Sequence, residues 1–109
     1  MQPSLLSSYA GGISVGQRQQ FVYSASGPTS YSQTTGDVVS FPSGVYIDEI
    51  RPCVDTTGVY MVVFTPTVVG NRAGPWTARW YTLSGMTQVA SLTNLSSVNV
   101  QFGAQGGEF

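Results

Sequence analysis

The chain has 109 residues, of which 41% are hydrophobic and 12% aromatic. This length and hydrophobic fraction suffice for the one modest core of a single domain, and both fractions are too high for a disordered protein. Four arginines, no lysine and no histidine stand against five acidic residues, so sequence-independent binding to nucleic-acid phosphates lacks its main driving term. One cysteine without a histidine excludes an internal disulfide and leaves only carboxylates for a metal site, so we expect no metal and no cofactor.

The first 18 residues are predicted to form an extended arm. Half of its residues are Ser, Gly or Gln, and its apolar side chains, which include Leu5, Leu6, Tyr9 and Ile13, follow no helical or strand period. The segment has neither the basic start nor the apolar run of a signal peptide. No later stretch reaches the ~18 continuous apolar residues of a membrane span. We therefore expect a protein made in the cytoplasm, with no membrane partner.

Seven short segments are predicted to be strands, because they are rich in β-branched and aromatic residues and lie between turn residues. They are residues 19–25, 37–41, 45–51, 59–65, 76–83, 86–92 and 98–102. The most hydrophobic of them, 59–65, is predicted to be the central strand. The pattern predicts an all-β fold, a single small β-sandwich or jelly-roll-like barrel of about seven antiparallel strands over residues 19–102. The glycine-rich residues 103–109 are predicted to be a flexible tail.

Catalysis would depend on carboxylates, because the chain has no histidine to activate a nucleophile. The acidic residues are Asp37, Asp48, Glu49, Asp55 and Glu108. Asp48 and Glu49 are adjacent on a predicted strand and point to opposite faces, while Asp37 and Asp55 are expected to bind backbone amides in turns. Cys53 is expected to be an unreactive, at least half-buried thiol. We predict that the protein is not an enzyme; the alternative is a small hydrolase with a carboxylate pair.

The aromatic residues of segment 76–83 allow a second interpretation. Trp76 and Trp80 share one face of the predicted strand, and Tyr81 lies on the other. The two indoles would lie roughly 13 Å apart along the strand, a spacing that suits a chain of sugar rings. If exposed, these three residues would form the platform of a carbohydrate-binding module. Otherwise they belong to the core or to a protein interface, where aromatic residues are enriched.

The composition favours a structural role in an assembly. A free sheet protects its edges with charged residues, above all lysine, and only 8% of this chain is charged, so neighbouring subunits are expected to cover its edges. In composition and architecture the whole chain resembles the small cement, decoration, tail or spike proteins of tailed bacteriophages, although no specific motif is shared. The resemblance implies a virion component that binds a capsid or tail lattice.

Several partner and interface expectations follow from this interpretation. The partners would be major capsid or other virion proteins, and the chain itself is expected to form a homo-oligomer, with a trimer favoured. The contacts would be made by the arm and the sheet edges. The interface candidates are Leu5, Leu6, Tyr9 and Ile13 in the arm, with Trp76, Trp80 and Tyr81 on the aromatic strand.

Overall fold

The computed structural model describes residues 1–10, 19–41, 45–66 and 75–108 of the chain. Within these ranges the protein has eight strands and no helix, hence no helix long and apolar enough to cross a membrane. The strands are β1 (Ser4–Ala10), β2 (Gln19–Ser26), β3 (Asp37–Val39), β4 (Val45–Ile50), β5 (Cys53–Val54), β6 (Tyr60–Pro66), β7 (Trp76–Thr82) and β8 (Asn99–Glu108).

The strands form two antiparallel four-stranded sheets. Sheet A has the strand order β1-β2-β8-β4, and sheet B has the order β3-β7-β6-β5. The predicted all-β class is confirmed, and the arrangement is consistent with a small β-sandwich of eight strands rather than seven. The most hydrophobic segment, now β6, occupies one of the two inner positions of sheet B.

The core lies between the apolar faces of the two sheets, because side chains alternate between the two sides of a strand. The buried side chains include Phe21, Tyr23 and Ala25 of β2, Val100, Phe102 and Ala104 of β8, Val62 and Phe64 of β6, and Trp76, Ala78 and Trp80 of β7. Aromatic rings make the contact across the interior: the rings of Phe64 and Phe102 have centroids 4.7 Å apart. The sheets are therefore joined mainly by burial of apolar surface.

Polar contacts also connect the sheets, at both edges of sheet B. At one edge the Met1 ammonium group donates to Oδ1 of Asp37 at 2.8 Å and to the Val38 carbonyl at 3.0 Å. This contact fixes the residues that lead into β1 to the edge strand β3. At the other edge Asp55, directly after β5, forms a β-bridge with Val100 of β8. Sheet B is thus attached to sheet A on both sides.

Both predicted termini contain strand. Residues 4–10 of the predicted extended arm form β1, which pairs with β2, whereas residues 11–18 lie outside the described residues. The predicted flexible tail was wrong for residues 103–108, which are the second half of β8 and pair with both β2 and β4. The strand continues because small residues, Ala104 and Gly106, take the inward positions after Phe102 and let β4 approach closely.

The predicted strand over residues 86–92 was wrong. Met86 and Leu92 have φ angles of +52° and +72°, which are incompatible with extended backbone. Only Gln88 makes a strand-like contact there, an isolated bridge to Tyr81. In its place the structure has the two-residue strand β5, which pairs with β6.

Candidate assembly interface

Among the described strands four lie at a sheet edge, and they differ in length and charge. In sheet B, β3 has three residues and β5 has two. Both strands are too short to template another strand. In sheet A, β4 carries Asp48 and Glu49 and is followed by Arg51. Charged residues and short length are the usual protections of a sheet edge. The seven-residue β1 has no charged side chain, and none of the described strands pairs with its outer edge.

The arm residues proposed as docking residues lie in or near this edge. Leu5 and Leu6 are 50% and 52% exposed. Tyr9 lies on β1 opposite Gln20 of β2, and Ile13 lies outside the described residues. The pairing of β1 with β2 is irregular between Leu5 and Ser7, which places Leu6 in a bulge. β1 therefore combines half-exposed leucines with an uncharged outer edge to which no described strand is paired.

The two tryptophans of β7, the predicted aromatic strand, point into the core. Trp76 is 7% exposed and Trp80 is 0% exposed, so neither indole can stack on a sugar in this structure. The backbone N–H of Trp80 donates to the Tyr31 hydroxyl at 3.1 Å, and its indole ring contacts Tyr60 edge to face at 6.1 Å between centroids. Of the three proposed platform residues, only Tyr81 is partly exposed. The core interpretation of the two tryptophans fits this burial.

The Asp55 carboxylate accepts four hydrogen bonds through its two oxygens. Its Oδ1 accepts from the backbone N–H groups of Val59 and Tyr60, both at 2.8 Å, and its Oδ2 accepts from the backbone N–H (3.1 Å) and the hydroxyl of Thr57. Burial raises the pKa of this carboxyl, but the hydrogen bonds from Thr57, Tyr60 and Val59 outweigh that effect and lower its pKa overall. The predicted turn role of Asp55 is confirmed.

Asp37 and Glu49 are not placed to form a carboxylate pair with Asp55. Asp37 lies on β3 rather than in a turn and binds the Met1 ammonium group; three strand spacings separate β3 from β5, roughly 14 Å, more than a glycosidase pair spans. Glu49 is exposed on the outer side of β4, in the other sheet. Among the residues that the structure describes, no cluster of His, Cys, Asp and Glu could hold a metal ion.

Cys53 on β5 is half-buried beside Asp55. Burial, with a smaller contribution from the Asp55 carboxylate, raises the pKa of the Cys53 thiol to about 11. Only the thiolate is a nucleophile, so alkylation by iodoacetamide at pH 8 is expected to be on the order of a hundredfold slower than for an ordinary cysteine. Mass spectrometry of timed samples measures the rate, with the urea-unfolded chain as the control. Equal rates in the two states would contradict the assigned environment.

The outer face of sheet A carries a depression that we call the Gly103 pocket. It has a volume of about 170 Å³ and is lined by residues of three neighbouring strands and the residue after β4: Gln20, Phe21 and Val22 of β2, Gly103, Ala104 and Gln105 of β8, and Glu49 and Arg51. Gly103 takes an outward position, and a Cβ atom built on it would meet no atom within 4 Å. The pocket therefore exists because this position lacks a side chain.

The predicted interface residues included neither the residues that line the Gly103 pocket nor the exposed Leu92. The outward alternation of Asn99, Gln101, Gly103 and Gln105 is visible in the sequence and would have placed Gly103 on the outer face, had the strand been extended past Phe102. Comparisons of the chain with protein-family models, curated proteins and solved structures give no match.

Proposed function

We propose that the protein is a non-enzymatic structural subunit that assembles with copies of itself through the edge of β1. The observation that carries the proposal is the contrast among the four edges: three are short or charged, and β1 is a seven-residue strand without charge. An edge of this kind is a template for another strand. Strand addition supplies main-chain hydrogen bonds, and the side chains along the edge supply specificity.

The free energy of association at the β1 edge would come from both backbone hydrogen bonds and side-chain burial. Leu5 and Leu6 are about half exposed, so covering them would contribute about 1 kcal/mol each. The absence of charge from β1 means that two copies of this edge meet without repulsion between like charges. An edge strand that is compatible with itself in this way supports assembly between copies of the chain.

The setting we propose is a virus particle. A small, charge-poor β domain with an assembly edge at its N-terminus suits a capsid decoration protein or a small tail component of a bacteriophage, with a capsid or other virion protein as the lattice. In such a particle the subunit works by covering joints between larger subunits. The low charge of the chain supports this setting, since interface cores are depleted in charged residues.

The substitution Leu6→Lys tests docking at β1. A lysine in the exposed bulge of an edge strand places a charge where a second strand would have to pair, so we expect the dissociation constant for self-association to rise at least tenfold without a change in melting temperature. Light scattering across a range of concentrations measures the association. Val38→Lys is the matched control, because Val38 is 51% exposed on the edge strand β3.

Two results would contradict this proposal: a wild-type protein that stays monomeric at every concentration, or a Leu6→Lys variant that associates as strongly as wild type. Deleting residues 1–18 is not a suitable test, since it would remove β1 from sheet A and leave the buried Asp37 without the Met1 ammonium group. Loss of association in that deletion would not distinguish a lost contact from a damaged fold.

A further inference from the structure

We propose that Leu92 of one copy inserts into the Gly103 pocket of the next copy, which gives the chain a second, head-to-tail contact. This inference rests on the proposed function, because it takes self-assembly as given and names the residues of a contact separate from β1. Such a contact requires a leucine that projects from the surface and a pocket of matching size. The leucine and the pocket must also lie at different places on the molecule.

Leu92 is held in an exposed position by a rigid loop. Its side chain is 82% exposed, and its φ angle of +72° lies in the left-handed region. The backbone around it is fixed: the N–H of Leu92 donates to the Tyr31 carbonyl at 2.7 Å, and the N–H of Tyr31 donates to the Thr93 carbonyl at 3.0 Å. The Thr93 hydroxyl closes the turn on the Ala90 carbonyl at 2.7 Å.

A leucine is an unfavourable residue at this position if the chain acts alone. The left-handed conformation favours Gly and tolerates Asn, whereas a leucine is strained there. The side chain gains little burial within its own chain in return. Strained residues that the surrounding structure holds in place are concentrated at functional sites. The loop thus presents an apolar side chain in a fixed direction, at little entropic cost on binding.

The Gly103 pocket has the size and lining to receive that side chain. Its volume of about 170 Å³ compares with the cavity of about 150 Å³ that holds a benzene ring in another protein, so an isobutyl group fits. Val22, which is partly exposed, lies beside Gly103 and provides apolar contact. Gln20, Gln105, Glu49 and Arg51 also line the pocket. Their long side chains can contribute methylene groups to the contact while their polar ends remain hydrated.

The positions of the two partners determine the symmetry of the contact. Leu92 lies in the connection between β7 and β8, whereas the pocket lies on the outer face of sheet A, and the two share no residue. A contact between two different surfaces is heterologous, and it either closes into a ring or continues as a filament. A closed ring of any number of copies, including the trimer favoured from the sequence, would satisfy every leucine and every pocket.

Two single variants test the contact from its two sides. Leu92→Asn removes the apolar side chain and places a residue that tolerates the left-handed conformation. Gly103→Val fills the pocket where a Cβ atom meets nothing within 4 Å. Each variant is expected to keep or raise the melting temperature and to increase the dissociation constant for self-association at least tenfold, measured by light scattering and sedimentation equilibrium.

Mixing the two variants provides the decisive measurement. Gly103→Val retains Leu92, and Leu92→Asn retains an open pocket, so an equimolar mixture can form one contact per pair. We expect dimers of the two variants to form at least tenfold more strongly than either variant associates alone. The edge of β1 is identical in both proteins, so its contribution cancels from the comparison.

The outcomes separate this inference from the proposal for β1. Recovery in the mixture, together with no effect of Leu6→Lys, would support the Gly103 pocket and contradict docking at β1. A strong effect of Leu6→Lys, with wild-type association in both Leu92→Asn and Gly103→Val, would overturn the pocket contact and leave docking at β1 intact. A mixture that associates no more strongly than its components also overturns it, as does a wild-type protein that is monomeric throughout.

Discussion

Replacement of Gly106 by alanine is expected to lower the free energy of unfolding by about 3 kcal/mol or more. A Cβ atom at this position would overlap the Tyr46 carbonyl oxygen and would lie 3.0 Å from the Cα of Ile47. Both atoms belong to the backbone of β4, so no side-chain rotation can relieve the overlap. The strand would have to move away from β8, which would weaken their pairing and expose the buried Ile47 and Ile50.

Gly103→Ala is the matched control for Gly106→Ala. The two glycines lie three residues apart on β8, but a Cβ atom on Gly103 meets nothing within 4 Å, so alanine there is expected to change stability by less than about 0.5 kcal/mol. Urea unfolding followed by tryptophan fluorescence measures both variants, since Trp76 and Trp80 are buried in the core. Equal midpoints for the two variants would show that β4 does not approach Gly106 as closely as described.

The contrast between these glycines also shows what the sequence could predict about β8. Val100 and Phe102 alternate with polar residues, and the prediction of a strand there was correct but ended at Phe102. The same alternation continues through Ala104 and Gly106, although with side chains too small to register as a hydrophobic pattern. Composition indicated a flexible tail, whereas the requirement for close approach by β4 explains the glycines. That requirement depends on a neighbouring strand that local sequence does not reveal.

The connections at the edges of sheet B were less accessible to prediction. Asp55 was expected in a turn because its position beside Thr57 and Gly58 is a local signal, and the structure agrees. Asp37 was also expected in a turn, yet it binds the ammonium group of a residue 36 positions away. Such a long-range ion pair leaves no pattern in the sequence around either partner.

The candidate interface was predictable only in part, because local sequence shows which residues share a face but not what that face contacts. Leu5 and Leu6 interrupt a polar segment, and isolated apolar residues in such a segment indicate exposure. Trp76 and Trp80 were correctly placed on one face, but alternation alone cannot show whether that face is inside or outside. The burial of Ala78 between them shows that the face packs against the opposite sheet.

Asp55→Asn is expected to lower the free energy of unfolding by about 2 to 4 kcal/mol at neutral pH. The carboxylate accepts four hydrogen bonds, from Thr57, Val59 and Tyr60. An amide of the same size offers one accepting oxygen, so its NH₂ group would face either the Thr57 N–H or the N–H groups of Val59 and Tyr60, which are then left without this acceptor. The damage would extend to both sheets, because Asp55 also bridges to Val100. Glu49→Gln, at an exposed carboxylate, is the control and should change stability by less than about 0.5 kcal/mol.

The pH dependence of this loss identifies the carboxylate charge as its cause. Hydrogen bonding lowers the pKa of Asp55 in the folded protein below its ordinary value, so the unfolded chain binds the proton more readily. The stabilisation is therefore complete above the unfolded-state pKa of about 3.9 and is lost as the pH falls through that value and then through the lower folded-state pKa. The asparagine of the Asp55→Asn variant cannot titrate, so in urea unfolding experiments the stability difference between wild type and variant should be the same at pH 6 and pH 5 and should shrink progressively from about pH 4.5 to pH 3. A difference that stays constant over this range would mean that the geometry of the turn, rather than the charge on Asp55, stabilises the junction between the two sheets.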